Sequence, residues 1–266
     1  MSILSLKDVS AGYGRREVIH SLSLSLEKGE FCAFLGLNGS GKTTLLKVME
    51  GLIPLWSGSV EVDGTEVTKL DEKRRARLLS LIPQRSSIIT GRTVMDVVLM
   101  GANPWLGLLD SPGRRFQMEA EAALEKLGIQ SLKDKDYSIL SGGQQQLVIL
   151  ARSMVQNAPV MLMDEPDSAL DYVNRHMVLQ KIRELTEESG KCCLITLHDP
   201  NFALSYCSRI VAIKDGDILW NLETRKTRKE TLEDALSGIY GEVRLLENDG
   251  EYVMVGKRTG SQRPVN

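Results

Sequence analysis

The chain has 266 residues, 42% of them hydrophobic and 26% charged, and its 33 Lys and Arg nearly balance 35 Asp and Glu for a formal net charge of -2. A chain of this length forms one large domain or two small ones and buries about three quarters of its unfolded surface, so it folds without staples. Near-neutral charge argues against the extended basic face with which a dedicated nucleic-acid binder neutralises phosphates, and no nucleic-acid partner is expected.

From Met1 to Gly14 there is no basic region followed by an apolar core and a cleavage site, and no stretch approaches the roughly 18 apolar residues that span a bilayer. The sequence predicts a chain that stays in the cytoplasm unless a partner holds it at a membrane. Residues 19–26 alternate, with Leu22, Leu24 and Leu26 set against Ser21, Ser23 and Ser25, and 59–67 alternate around the turn Asp63-Gly64. Both read as antiparallel strands with one wet face. The apolar runs at 31–35, 79–82, 160–163, 192–197 and 210–213 are too short for buried helices and do not alternate strictly. Each reads as an interior strand of a parallel sheet covered on both faces, which makes the core α/β. Cys32, Cys192, Cys193 and Cys207 sit mostly in such runs without C-x-x-C spacing. They read as buried reduced thiols, not as a disulfide framework or a zinc site.

Between about 90 and 157 the pattern becomes helix-forming, as at 117–127, and no core strand stands out. A helical insertion in the α/β core accounts for this. Residues 223–234 are dense in charge and lead into a short helix starting near Thr231, and 242–255 alternate around the hairpin signal Asn248-Asp249-Gly250.

The first run leads straight into Gly36-Leu37-Asn38-Gly39-Ser40-Gly41-Lys42-Thr43-Thr44 and a helical stretch at 45–50. That is G-x-x-x-x-G-K-[ST] in a strand-loop-helix context. Its glycines let backbone N–H groups turn inward around phosphates at a helix N-terminus. Lys42 would reach the outer phosphates and the Thr43 hydroxyl would ligate Mg²⁺. The run at 160–163 delivers Asp164 and Glu165 at its carboxyl end, the edge where parallel sheets bind ligands. Strand alternation points neighbouring side chains apart, so Asp164 is expected in the Mg²⁺ shell and Glu165 as the general base on an attacking water. Leu140-Ser141-Gly142-Gly143-Gln144 precedes a helical run at 145–154. Ser141 and Gln144 form a capping-box pattern, and the same glycine-rich helix start offers a second anion-binding surface.

The ordered set of phosphate loop, Gln84, 140–144, Asp164-Glu165, Ser168-Ala169-Leu170-Asp171 and His198 resembles the ATP-binding cassette (ABC) transporter ATPase family. The resemblance implies a P-loop NTPase fold: a RecA-like parallel core with an antiparallel β subdomain and a helical insertion. The implied division of the single domain is core and β subdomain at 1–89, helical subdomain at 90–157, second core part at 158–222, and helix plus hairpin at 223–266. It further implies that Ser141, Gly142, Gly143 and Gln144 of one cassette close on ATP held by a second copy, so that a homodimer sandwiches two nucleotides. Tyr13, in Gly12-Tyr13-Gly14, resembles the aromatic that stacks on adenine, with Val18 beside it. Gln84 resembles the glutamine that senses Mg²⁺ and links the core to the insertion. His198 resembles the histidine that contacts the γ-phosphate and orders the attacking water, and Asp171 the residue that communicates across the dimer. Taken alone, Tyr13 and His198 would read as packing residues, as His20 and His176 do here. Leu37, Asp167 and Gln145 depart from common family residues without removing a catalytic group.

Residues 93–101, followed by Pro104-Trp105-Leu106-Gly107, resemble the ATPases of binding-protein-dependent importers for iron-siderophore complexes, haem and cobalamin, as do residues 231–241. Ala102 stands where that group usually has arginine. Importers of molybdate or tungstate share the architecture. The implied place is the cytoplasmic face of the membrane, with integral permease subunits as direct partners and an extracytoplasmic binding protein as an indirect one. Trp105, Leu106, Leu108 and Leu109 read as an exposed apolar groove for a permease helix, or alternatively as packing within the insertion. A soluble cassette ATPase in iron–sulfur assembly and a nucleotide-regulated module without turnover are the competing readings.

Overall fold

A computed structural model describes residues 2–84, 91–107, 109–168 and 170–256. The chain begins with strands β1 (Ser2–Tyr13), β2 (Arg16–Glu27) and β3 (Phe31–Leu35), then α1 (Lys42–Met49), β4 (Leu55–Val62), β5 (Thr65–Glu66), α2 (Glu72–Ala76) and β6 (Leu79–Ile82). Its middle is helical, with α3 (Val94–Leu99), a 3-10 turn at Met100–Trp105, α4 (Arg114–Lys126) and α5 (Gly142–Gln156). There follow β7 (Val160–Asp164), α6 (Tyr172–Ser189), β8 (Cys192–Thr196), α7 (Pro200–Tyr206), β9 (Arg209–Lys214), β10 (Asp217–Glu223), α8 (Lys229–Tyr240), β11 (Val243–Asn248) and β12 (Glu251–Gly256).

The central sheet has the order β10-β9-β3-β8-β7-β6, parallel except for β10, which runs antiparallel at the edge. Its apolar runs do not alternate because both faces are covered, and each face feeds a different core. On β3, Phe31, Ala33 and Leu35 join the core shared with the helical insertion, while Cys32 and Phe34 join the core under the antiparallel sheet. β7 and β8 divide in the same way: Met161, Met163, Cys193 and Ile195 on one side, Val160, Leu162, Cys192 and Leu194 on the other. All four cysteines are free and buried, and burial pushes their thiols upward in pKa.

The antiparallel sheet has the order β2-β1-β4-β5, and Leu22, Leu24 and Leu26 face inward as their alternation requires. β1 and β10 are strands that the sequence reading does not reveal. In β1, register shifts between Leu6 and Val9 and between Val9 and Ala11, with Asp8 at φ 48, break the two-residue period, although Leu4, Leu6, Val9 and Ala11 are all buried.

One expectation is corrected. The run at 79–82 is an outer strand, with β7 as its sheet neighbour, and not an interior one. It is apolar because both faces are still covered: Leu79 and Leu81 pack in the core under the antiparallel sheet and Ile82 in the core that α5 shares, where the Ser80 and Ser153 hydroxyls meet at 2.7 Å in a buried contact. The last helix starts at Lys229, slightly before Thr231. The β11–β12 turn places Asp249 at φ 49 and Gly250 at φ 79, the left-handed pair that a tight hairpin needs. Among the described residues no helix is long and apolar enough to cross a membrane.

Candidate active site

β3 ends at the phosphate loop and α1 begins at Lys42, so the loop lies at the carboxyl edge of the central sheet. Gly41 caps α1 in a left-handed conformation, φ 107, and a Cβ there would lie 2.9 Å from Ile19 Cδ1. Both facts demand glycine at the position that opens the helix N-terminus toward a ligand. Val18, Asn38, Gly39, Ser40, Gly41, Lys42, Thr43, Thr44 and Glu165 line one open cleft. Lys42 is buried and donates to the carbonyls of Gly36 (2.8 Å) and Leu37 (3.2 Å). Burial lowers its pKa, and the carboxylates of Glu165 and Asp164 oppose that shift. Tyr13 is half exposed, and its hydroxyl lies 3.5 Å from Thr44 Oγ1.

The two acids after β7 face different partners. Asp164 Oδ1 accepts from Thr43 Oγ1 at 3.1 Å and from Thr196 Oγ1 at 2.9 Å. Glu165 leaves the strand, with φ 46, and its N–H donates to Thr196 Oγ1 at 2.8 Å. Its Oε1 lies 2.7 Å from His198 Nε2, and its Oε2 accepts from Gln84 Nε2 at 2.8 Å. The separation therefore comes from a left-handed residue at the strand end and not from alternation along the strand, because β7 stops at Asp164. A non-glycine residue held at positive φ is stored backbone strain, found where the surroundings over-determine the conformation.

Thr196 was not legible as a site residue. It is a fully buried polar residue closing the apolar run of β8 two positions before His198, and that polar interruption is its sequence signal. Gln84 also donates to Ser168 Oγ at 3.3 Å. Asp167 is buried against Arg175, with Oδ2 3.3 Å from Nε; burial raises its pKa and Arg175 lowers it. Hydroxyl and carboxylate oxygens at Thr43 and Asp164 form the hard, sparse donor set that suits Mg²⁺, which takes one or two protein oxygens plus phosphates and water. Among the described residues no three His, Cys, Asp or Glu side chains gather to hold a metal ion.

The second glycine-rich element is placed elsewhere in the chain. Ser141 caps α5, accepting from Gln144 N at 3.3 Å, while Ser141 N donates to Gln144 Oε1 at 3.1 Å, so the capping box is complete. A Cβ on Gly143 would lie 2.7 Å from Asn174 Oδ1, which keeps α5 close to the start of α6. Asp171 caps α6 through Asn174 N and Nδ2, both at 2.8 Å. None of Ser141, Gly142, Gly143, Gln144 and Asp171 lines the phosphate-loop cleft of the same chain. His176 pairs with Tyr206 and His20 with Asp217, and neither lines that cleft.

The apolar segment after α3 is narrower than its sequence suggests. Trp105 is 43% exposed but its indole N–H donates to Gln156 O at 2.9 Å, and Leu106 packs against the core that the central sheet shares with the helical insertion. Leu109 is 96% exposed, and Leu108, like Ala169, lies outside the described residues.

Residues 19–168 match the family model described as ABC transporter. The chain is 35% identical over 223 residues to a probable iron chelatin transport ATP-binding protein of Helicobacter pylori, covering 84% of this chain and 88% of that one. A solved structure assigned provisionally as a metal-chelate type ABC transporter, in an inward-facing conformation, is similar at TM-score 0.81 and 25% identity over 96% of each chain. The dimeric bacterial ABC transporter cassette MJ0796 is similar at TM-score 0.73 and 29% identity, covering 84% of this chain and all of that one (100%).

Proposed function

The chain belongs to the ABC transporter family, and on that premise we propose that it is the ATP-hydrolysing subunit of an importer for an iron chelate, haem, cobalamin or a similar complex. The observation that carries the reading is Glu165, held between His198 and Gln84 at the edge of a cleft formed by residues 38–44. In this reading the N–H groups of 39–44 and the Lys42 ammonium bind the β- and γ-phosphates of ATP, with Tyr13 stacked on adenine and Val18 beside it. Phosphate takes over the Lys42 contacts that the Gly36 and Leu37 carbonyls make here, and its charge offsets the cost of burying the ammonium. Thr43 and Asp164, with Gln84, would hold Mg²⁺, which would neutralise charge on the phosphates.

Glu165 accepts the proton of the attacking water, and His198, hydrogen-bonded to the same carboxylate, orients it and faces the γ-phosphate. Ser141–Gln144 lie outside their own chain's cleft, so they serve the nucleotide of a second copy, and Asp171 lies at that junction. The homodimer then closes on ATP and opens after hydrolysis. Permease subunits at the cytoplasmic face of a membrane receive that motion through the surface around Trp105 and Leu109, and a binding protein on the far side delivers the cargo. The test is affinity isolation of the full-length chain from its own membranes, followed by ATP-dependent uptake of a ferric siderophore into vesicles. Recovery of a multispanning subunit together with uptake supports the reading. A chain recovered without any integral membrane partner, and cells lacking it taking up the chelate normally, refute the importer role and favour a soluble cassette.

A further inference from the structure

The helix that starts at Ser141–Gln144 ends at Gln156, and the two ends are about 22 Å apart for 15 residues. At the far end the Gln156 carboxamide donates through Nε2 to Ala76 O at 2.7 Å and to Leu79 O at 3.0 Å. Both acceptors would otherwise be orphans. Ala76 is the last residue of α2: the Arg74 and Arg75 carbonyls before it accept from Arg77 N and Leu78 N, which leaves the Ala76 carbonyl past the end of the helical ladder. Leu79 opens the outer strand β6; because Leu78 O already accepts from Val160 N, the next carbonyl points away from β7. A primary amide has two N–H donors, and both are used.

The same corner is tied twice more. Trp105 Nε1 donates to Gln156 O at 2.9 Å, and the Arg77 guanidinium lies 5.0 Å over the Trp105 ring while its Nε donates to Pro104 O at 2.9 Å. Gly101 leaves no space for a side chain: a Cβ there would lie 2.2 Å from Arg152 O. Gln156 thus joins three things: the helix carrying Ser141–Gln144, the root of the strand that leads to Gln84, and the turn carrying Trp105.

We infer that Gln156 is a positioning residue: by donating to Ala76 O and Leu79 O it fixes the C-terminal end of α5 on the core and so sets where α5 presents Ser141–Gln144 to a second copy of the chain. The inference rests on the trans role of that loop. A rigid helix pinned at one end carries an angular slip there to the other end, and a displacement of about 1 Å in a site can cost roughly 10²-fold. In a two-fold dimer the error counts at both interfaces.

The test compares Gln156→Met, which keeps length without a donor, Gln156→Glu, which puts oxygens against two carbonyls, and Gln156→Lys, which restores a donor. Each is made in full-length protein carrying Glu165→Gln. ATP-driven dimerisation is read by sedimentation, and ATP affinity of the dilute monomer by calorimetry. We expect Met to weaken dimerisation roughly tenfold, Glu to weaken it further, Lys to recover most of the loss, and monomer affinity to stay unchanged. Equal dimerisation in all variants, Lys no better than Met, or a parallel loss of monomer affinity overturns the inference.

A dipolar distance between labels at Ile139→Cys and Leu52→Cys, both exposed sites on a chain whose native cysteines are buried, needs one chain only. It should broaden with Met and narrow again with Lys. If Glu165→Gln alone does not dimerise, the homodimer reading fails and this distance decides: an unchanged distribution in Gln156→Met overturns the positioning role. If Met does not fold, the Lys and Glu variants decide by the same two measurements, and Trp105→Phe, which removes the donor to Gln156 O and part of the ring under Arg77, should shift dimerisation in the same direction by less.

Discussion

His198 Nε2 and Glu165 Oε1 lie 2.7 Å apart, and the same carboxylate accepts from Gln84 on its other oxygen. The acid is held at both ends, so its position does not depend on its own rotamer preferences. Glu165→Gln keeps the shape but lacks the basic oxygen. ATP binding is expected to persist while turnover falls by roughly 10²–10⁴, and an ATP-bound dimer should accumulate in size-exclusion chromatography. Near-normal phosphate release from the variant would remove Glu165 from the role of base.

Lys42→Ala removes an ammonium that burial already disfavours and that only nearby acids and carbonyl oxygens support. Hydrogen bonds to a charged group are worth about 1.5–3 kcal/mol each, so ATP affinity should fall about 100-fold. Isothermal titration that returns the parent affinity contradicts the phosphate-loop assignment.

Ser141→Arg fills the glycine-rich start of α5 with a bulky cation and removes the cap on Gln144 N. Loss of the cap costs about 1 kcal/mol of stability, too little to unfold a domain of this size. Monomer ATP affinity should be unchanged while ATP-driven dimerisation is abolished in the Glu165→Gln background. Simultaneous loss of both would mean that the loop acts within its own chain.

Glu50 closes the C-terminal end of α1 with one carboxyl oxygen buried and unpartnered. Burial pushes its pKa up to about 7 from an ordinary 4.5, with Arg75 pulling the other way. The folded state therefore binds the proton more tightly than the unfolded state does. Its contribution is fully present below the unfolded value and is lost as pH rises through about 7. The difference amounts to about 3 kcal/mol. Glu50→Gln should flatten the fall in stability between pH 5 and pH 8 and exceed the parent at pH 8. Urea midpoints that change with pH in parallel for the two proteins would rule this out.

Motifs whose chemistry is local could be read from the chain: the phosphate loop needs its glycines in order, a buried parallel strand needs an unbroken apolar run, and the cap at Ser141 needs Gln144 three residues on. The hairpin turn at Asp249-Gly250 belongs to the same class, because a left-handed pair has few residue choices. β1 escaped because Asp8 and the register shifts around Val9 erase the period that would have revealed it. Thr196 and Gln156 escaped for a different reason. A polar side chain in an apolar run or at a helix end has no meaning until its acceptors are known, and those acceptors are carried by distant residues, Asp164 for one and Ala76 and Leu79 for the other. Sequence order set which groups the protein owns. Tertiary structure decided which of them share a hydrogen bond, because a bond of about 3 Å depends on how strands and helices far apart in the chain are packed.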